Sequence, residues 1–298
     1  MRRTGAASFG ARILKKSATP LEVLVVGSAS LDTLHIGGQT FRTAGGAGLY
    51  TALAANCAGA RAALFAPRPA PVPEALQPVA DSVEWIGPDV SSEEIPRLEI
   101  AHHGAGKATL LGASWGAVAS LNPEALPADR LRASIVHIAA LPDADHQMRF
   151  VQACRRRGAA RVSAGTYARL IANERGRVHA LFEAVDLFFM SENEANLLFG
   201  SVDAARTRAD RTLFVTLAER GALVIRGDQA AHVPGRPASE VDPTGAGDTF
   251  CGAVLAGLAR GEDATTASRA AIVLAAEMIG AIGPSRLLER APRRRPAR

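Results

Sequence analysis

The stretch Val241–Arg260, VDPTGAGDTFCGAVLAGLAR, sets one acid beside a run of small residues. Its apolar residues Phe250, Val254, Leu255 and Leu258 recur at helical spacing, so a helix begins directly after the glycines. Gly245-Ala246-Gly247 then lies at a helix N-terminus, where unpaired amide N–H groups and the helix dipole attract an anion. Glycine lets the backbone approach that anion without a Cβ in the way. Asp248 falls in the first turn beside the same pocket. A carboxylate there can take a proton from an attacking hydroxyl while the amides hold a transferring phosphoryl group. It can equally do no more than stabilise the helix start, as acids often do.

The elements that must position this turn read as a β-α-β alternation. Glu22–Val26 is a short β-branched strand ending at Gly27, and Ala47–Ala58 is an Ala-rich helix that follows Gly45-Gly46. Strands are predicted at Arg61–Ala66, Ser134–Ala139, Asp186–Met190, Thr212–Leu217 and Ala222–Arg226. Helices are predicted at about 143–157, 192–199, 246–260 and 263–281. Strands alternating with helices imply a mostly parallel sheet covered on both faces. Two patches, within 33–43 and 97–113, alternate as hairpins around Gly37-Gly38 and Gly104–Gly106. Together they could form a small accessory sheet over an active site. The Pro-rich stretch Ala66–Pro78 is an irregular connection.

At 298 residues, with 48% hydrophobic and 21% charged residues, the chain can bury a sizeable core and is not of disordered composition. No apolar run reaches the roughly 20 residues of a membrane-spanning helix. The net charge of +5 sits in the tails. Residues 1–20 carry +5 and residues 286–298 carry +5, which leaves the body between them at −5 and gives no basic groove for nucleic acid. The first 20 residues are basic and acid-free, superficially like a transit peptide, but lack the apolar core of a secretory signal. The chain is placed in the cytoplasm. Cys57, Cys154 and Cys251 form an odd, scattered set that suits a reducing compartment. Cys57 and Cys251 read as core thiols, and Cys154, before three arginines, as the more exposed one.

VDPTGAGDTFCGA resembles the signature of the ribokinase-like (PfkB-type) carbohydrate and nucleoside kinases. So do GSASLDTL with Asp32, the Gly45-Gly46 pair, SENEANLLFG at 191–200 and TLAERGALVI at 216–225, in family order over about residues 22–285. The resemblance implies a three-layer αβα fold with a mostly parallel central sheet and a small β lid. It implies a domain over 21–285, between basic tails at 1–20 and 286–298. The implied activity is transfer of the ATP γ-phosphoryl group to a hydroxyl of a small sugar, polyol or nucleoside. Asp248 would be the catalytic base, and Gly245, Ala246 and Gly247 the anion hole. Asp32, Gly45 and Gly46 would bind the acceptor. Glu194 would organise Mg²⁺, and Thr216 and Gly221 would flank the nucleotide. Asp242 and Thr244 match positions that hold a monovalent cation, usually K⁺, in some members. Lid hairpins in this family often mediate homodimers.

Four departures stand out. Ser191 replaces the usual Asn of the acidic motif, and Ala218 replaces a common nucleotide-loop glycine. Ala47 and Tyr50 replace the Lys and Asn of ribose-specific members. The acid expected after the strand at Ser134–Ala139 is absent. The core chemistry is therefore kept while ribose contacts are not. Tyr50 could offer its ring or hydroxyl to the acceptor, or could be a packed helix residue. Gly104-Ala105-Gly106-Lys107 fails the Walker A spacing and reads as a turn. His102-His103 lack partners at metal-ligand spacing, yet would line the cleft if the second hairpin is a lid. Three other readings stay open: a fold-retaining binding or regulatory protein, tail-driven nucleic-acid binding, and ADP as donor.

Overall fold

The computed structural model describes residues 21–104 and 107–293. The N-terminal tail, positions 105–106 of the second hairpin turn and the last five residues lie outside the described residues. In chain order the elements are β1 (Val23–Val26), β2 (Ser30–Ile36), β3 (Gln39–Gly45), α1 (Ala47–Cys57), β4 (Ala62–Phe65), β5 (Arg68–Pro69), α2 (Gln77–Ser82) and β6 (Glu84–Ile86). Next come β7 (Asp89–Val90), β8 (Arg97–Gly104), β9 (Lys107–Ser114), β10 (Ile135–Ile138), α3 (Ala144–Arg156), β11 (Val162–Gly165) and α4 (Ala168–Ala184). The chain ends in β12 (Leu187–Ser191), α5 (Glu192–Phe199), β13 (Thr212–Thr216), β14 (Gly221–Arg226), β15 (Gln229–Pro234), α6 (Ala246–Ala259), α7 (Ala264–Met278) and α8 (Ser285–Arg290).

Among the described residues, nine strands form one sheet in the order β15-β14-β13-β12-β11-β10-β1-β4-β6. Pairing is parallel from β6 to β13 and antiparallel at β14 and β15. Every residue of β1, β4 and β10 is buried, as expected for strands covered on both faces. Side chains alternate between two cores: Val23 and Val25 pack with α1, α6 and α7, while Leu24 and Val26 pack with α3 and α4. The result is the three-layer αβα arrangement that the alternation predicts.

The two hairpins do form one accessory sheet, in the order β3-β2-β8-β9. They join through a parallel β2–β8 pairing that sets Asp32 opposite Leu98 and Leu34 opposite Ile100. The sequence reading placed neither β11 and α4 nor the edge strands β6 and β15. Two other expectations change. Cys154 is fully buried, because α3 turns it inward. The C-terminal tail expected from 286 begins as α8, whose Leu287 is buried against α1 and α7. Among the described residues, no helix is long and apolar enough to cross a membrane.

Candidate active site

Helix α6 starts at Gly245, which caps it in the left-handed conformation (φ 79°). A Cβ there would stand 2.5 Å from the Tyr50 ring, so only glycine lets the turn lie on that ring. Of the three small residues, Ala246 does not offer a free amide: its N–H donates to the Pro243 carbonyl at 3.1 Å. The amides of Gly245, Gly247 and Asp248 have no acceptor among the described residues. Of the residues expected to form an anion hole, Gly245 and Gly247 thus keep open amides, as does Asp248, while the Ala246 amide is engaged.

Asp248 is half-buried in the first turn of α6. Burial, then the charge of Glu194, pushes its carboxyl up to about 7. Asp32, 2% exposed, reaches the same region from β2. Its Oδ2 occupies the place a Cβ of Gly45 would take, 1.8 Å away, which explains the glycine at the end of β3. Burial, and to a lesser degree Asp242, raises Asp32 to about 7 as well. Gly46 (φ 101°) opens α1, and a Cβ on it would meet the Ser28 carbonyl at 2.6 Å.

Tyr50 sits between these groups. It is 1% exposed, and burial followed by the charges of Asp242, Asp32 and Asp248 holds its phenol well above the usual range. The three carboxylates thus surround one ring. The sequence reading left open a contact with the acceptor; instead the ring floors the Gly245 turn, and only the unpartnered hydroxyl remains a polar atom to satisfy.

Glu194 forms a capping box with Ser191. Its Oε2 accepts from the Ser191 amide at 2.7 Å, and the Ser191 hydroxyl accepts from the Glu194 amide. Burial raises this carboxyl to about 7 against those hydrogen bonds. The Glu194 charge is felt at Asp248, and a divalent cation at Glu194, completed by water and phosphate oxygens, would offset it. Among the described residues there is no cluster of three ligands for a metal held by protein alone. Thr216, expected beside the nucleotide with Gly221, closes β13, and the Leu217 amide donates to the Gly221 carbonyl at 2.7 Å. Gly221 (φ 98°) is crowded by the Val233 carbonyl, and Arg220 pairs with Glu192 across the loop.

Asp242 is fully buried. Its Oδ1 accepts from the Thr244 amide (2.9 Å) and its Oδ2 from the Gly283 amide (2.7 Å). His102, from β8, places Nε2 at 2.8 Å from Thr244 Oγ1 and 3.5 Å from Asp242 Oδ1. Side-chain atoms expected to face a monovalent cation thus already face N–H groups and an imidazole. They fit that ion poorly. His102 was expected to line the cleft if the second hairpin formed a lid, but not to meet Thr244, and Gly283 was not assigned to the site.

A three-layer αβα body with an accessory β sheet, and a carboxylate beside bare amides at a helix start, is the architecture of a ribokinase-like phosphotransferase. The description "pfkB family carbohydrate kinase" matches residues 89–291, and the chain belongs to that family. A cytidine kinase of Thermococcus kodakarensis is 26% identical over 269 residues, covering 87% of this chain and 96% of that protein. The fold also matches the adenosine kinase of Sinorhizobium meliloti (TM-score 0.76, 20% identity, 89% of this chain and 96% of that one). A ribokinase of Cryptococcus neoformans in complex with ADP is similar too (TM-score 0.73, 19% identity, 93% and 98%). The chain is a kinase of the sugar and nucleoside class, and ATP is the nucleotide that the family implies.

Proposed function

We propose that this kinase passes the γ-phosphoryl group of ATP to a hydroxyl of a small sugar, polyol or nucleoside, with a nucleoside as the first acceptor to test. The supporting observation is Asp248: a carboxyl raised to about 7 in the turn whose neighbouring amides lack acceptors among the described residues. A base with a pKa near the working pH is suited to proton transfer. Asp32 accepts from hydroxyls of the acceptor and holds it in line, while Asp248 removes the proton from the attacking oxygen. The amides of Gly245, Gly247 and Asp248 offset charge developing on the phosphoryl oxygens. Thr216 and Gly221 flank the nucleotide. Mg²⁺, organised by Glu194 and water, supplies further charge neutralisation when bound. The lid excludes water that would otherwise hydrolyse ATP.

The nucleoside preference draws on the cytidine kinase relative, which is similar over nearly the full length of both chains. It also draws on the lid. Strand alternation puts Leu34, Phe41, Leu98, Ile100 and Leu110 on the face that carries Asp32, and each is buried or half-buried. An apolar lid face suits a flat base better than a bare polyol. The test is ADP release from Mg·ATP over a panel of cytidine, adenosine, inosine, ribose, fructose and myo-inositol. Asp248→Asn is expected to lose at least ~100-fold in kcat with its thermal melt intact. Near-wild-type turnover in that variant would remove Asp248 from the role of base.

A further inference from the structure

We propose that His102 is a positioning residue of the phosphoryl-transfer site, a lid-borne imidazole that fixes the anion turn in place of a bound monovalent cation. The proposal rests on the kinase reading above. The geometry behind it is long-range: His102 lies 142 residues before Thr244 in the chain, yet its Nε2 is 2.8 Å from Thr244 Oγ1 and 3.5 Å from Asp242 Oδ1. The contact is sheltered, with side-chain exposures of 5% for His102 and 0% for Asp242.

One carboxylate here gathers three segments. Asp242 accepts from the Thr244 amide of its own loop and the Gly283 amide of the segment after α7, and the lid imidazole that bonds Thr244 stands 3.5 Å from its Oδ1. The lid meets the Gly283 segment a second time, since a Cβ on Gly283 would stand 2.1 Å from Thr43 Oγ1. Thr244 immediately precedes Gly245, so whatever fixes Thr244 fixes the amides that receive the phosphoryl group. A buried carboxylate beside an imidazole draws the ring proton to Nε2. Nδ1 is then a lone pair, and it has no partner among the described residues.

A cation at Asp242 would need oxygen atoms directed toward it. The carboxylate instead accepts from two amide hydrogens, with the imidazole Nε2 3.5 Å from Oδ1, and these groups stabilise the charge without an ion. A cation would have to displace the imidazole from the same oxygen. Because β8 carries His102, the contact ties the turn to the lid sheet.

Hydrogen exchange on the full-length protein, with and without Mg²⁺ and a non-hydrolysable ATP analogue, tests this without knowledge of the acceptor. His102→Ala is expected to speed exchange of amides 242–248 by about tenfold or more and to leave β11 and α3 unchanged. His102→Gln, which keeps an N–H donor, should return exchange to within about threefold of wild type. Unchanged exchange at 242–248 in the Ala variant, or an increase spread over the whole chain, overturns the proposal. Kinetically, His102→Ala should lower kcat by about tenfold with KM for ATP within about threefold, and the Gln variant should recover most of that loss. Wild-type turnover should hold when KCl is replaced by choline chloride, and its collapse would overturn the substitution of imidazole for cation. If no acceptor in the panel is phosphorylated, the proposed acceptor class fails while the exchange data still decide the role of His102.

Discussion

Ala218 shows what a single residue contributes where the chain departs from its family. Among the described residues it is the one non-glycine with positive φ (52°). A Cβ in the left-handed region costs about 1–2 kcal/mol, against the ~0.5–1 kcal/mol that glycine adds to unfolded-chain entropy. Ala218→Gly is therefore expected to stabilise the protein by up to ~1 kcal/mol, read as a rise in the midpoint of urea unfolding. A fall in the midpoint would show that the strain is relieved elsewhere. This position was legible in the sequence, because a missing glycine in a family motif marks its own backbone requirement. The Gly245–Asp248 turn was legible for a related reason: it is local, with glycines, acid and helical stripe within one continuous segment. The contacts that Tyr50 and His102 make were not. Their roles come from a ring lying under residue 245 and an imidazole reaching residue 244 from the lid, and no local pattern encodes a partner so far along the chain.

At the scale of elements, the site depends on how closely α1 and α6 approach. Gly252 of α6 faces the Thr51 carbonyl of α1, and a Cβ there would stand 2.1 Å from that oxygen. The approach brings Tyr50, one residue before Thr51, beneath the Gly245 turn at the other end of the same contact. Gly252→Ala must push the helices apart, at a cost of about 1–3 kcal/mol, and should lower kcat because the turn loses its floor. Gly176→Ala, on an exposed face of α4 with no atom within 4 Å of the added Cβ, should instead stabilise by ~0.5–1 kcal/mol. Equal effects of the two changes in chemical denaturation would refute the packing argument. Helix α6 was readable from its apolar stripe; α3 and α7 begin at the capping acids Asp143 and Asp263, close to where the sequence expectation starts them. Helix α4 was less so: its Asn, Arg and Glu residues break the stripe, and the backbone leaves helical geometry at Glu174. Strands β6 and β15 escaped because the first is only three residues long and the second is mostly exposed, with no apolar alternation to mark it.

Across the whole molecule, the three site acids link function to stability. Asp32, Glu194 and Asp248 are each raised to about 7 with burial as the leading cause. A carboxyl whose folded pKa exceeds its unfolded value binds its proton more tightly in the native state. The stability it contributes is complete below the unfolded pKa and is lost as pH rises through the folded one. The window therefore runs from about pH 4 to just above pH 7, and the apo protein should melt at progressively lower temperature across it. For Asp32 alone, a shift from 3.8 to about 7 corresponds to about 4 kcal/mol. Asp32→Asn removes this charge, so it should raise Tm by at least about 5 °C at pH 8 and by little at pH 5. Kinase activity should move the opposite way, rising as Asp248 loses its proton near pH 7, so that the apo enzyme is least stable where it is most competent. Saturating Mg·ATP should flatten the stability slope, because binding to the folded state adds stability at the pH where the empty site is most strained by charge. Thermal melts of the wild type and Asp32→Asn at pH 5, 6.5 and 8 decide the matter. A Tm that is level from pH 5 to 8, or an Asn variant that gains equally at both ends, would mean that these carboxylates are already paired in the native state and do not share one desolvated site.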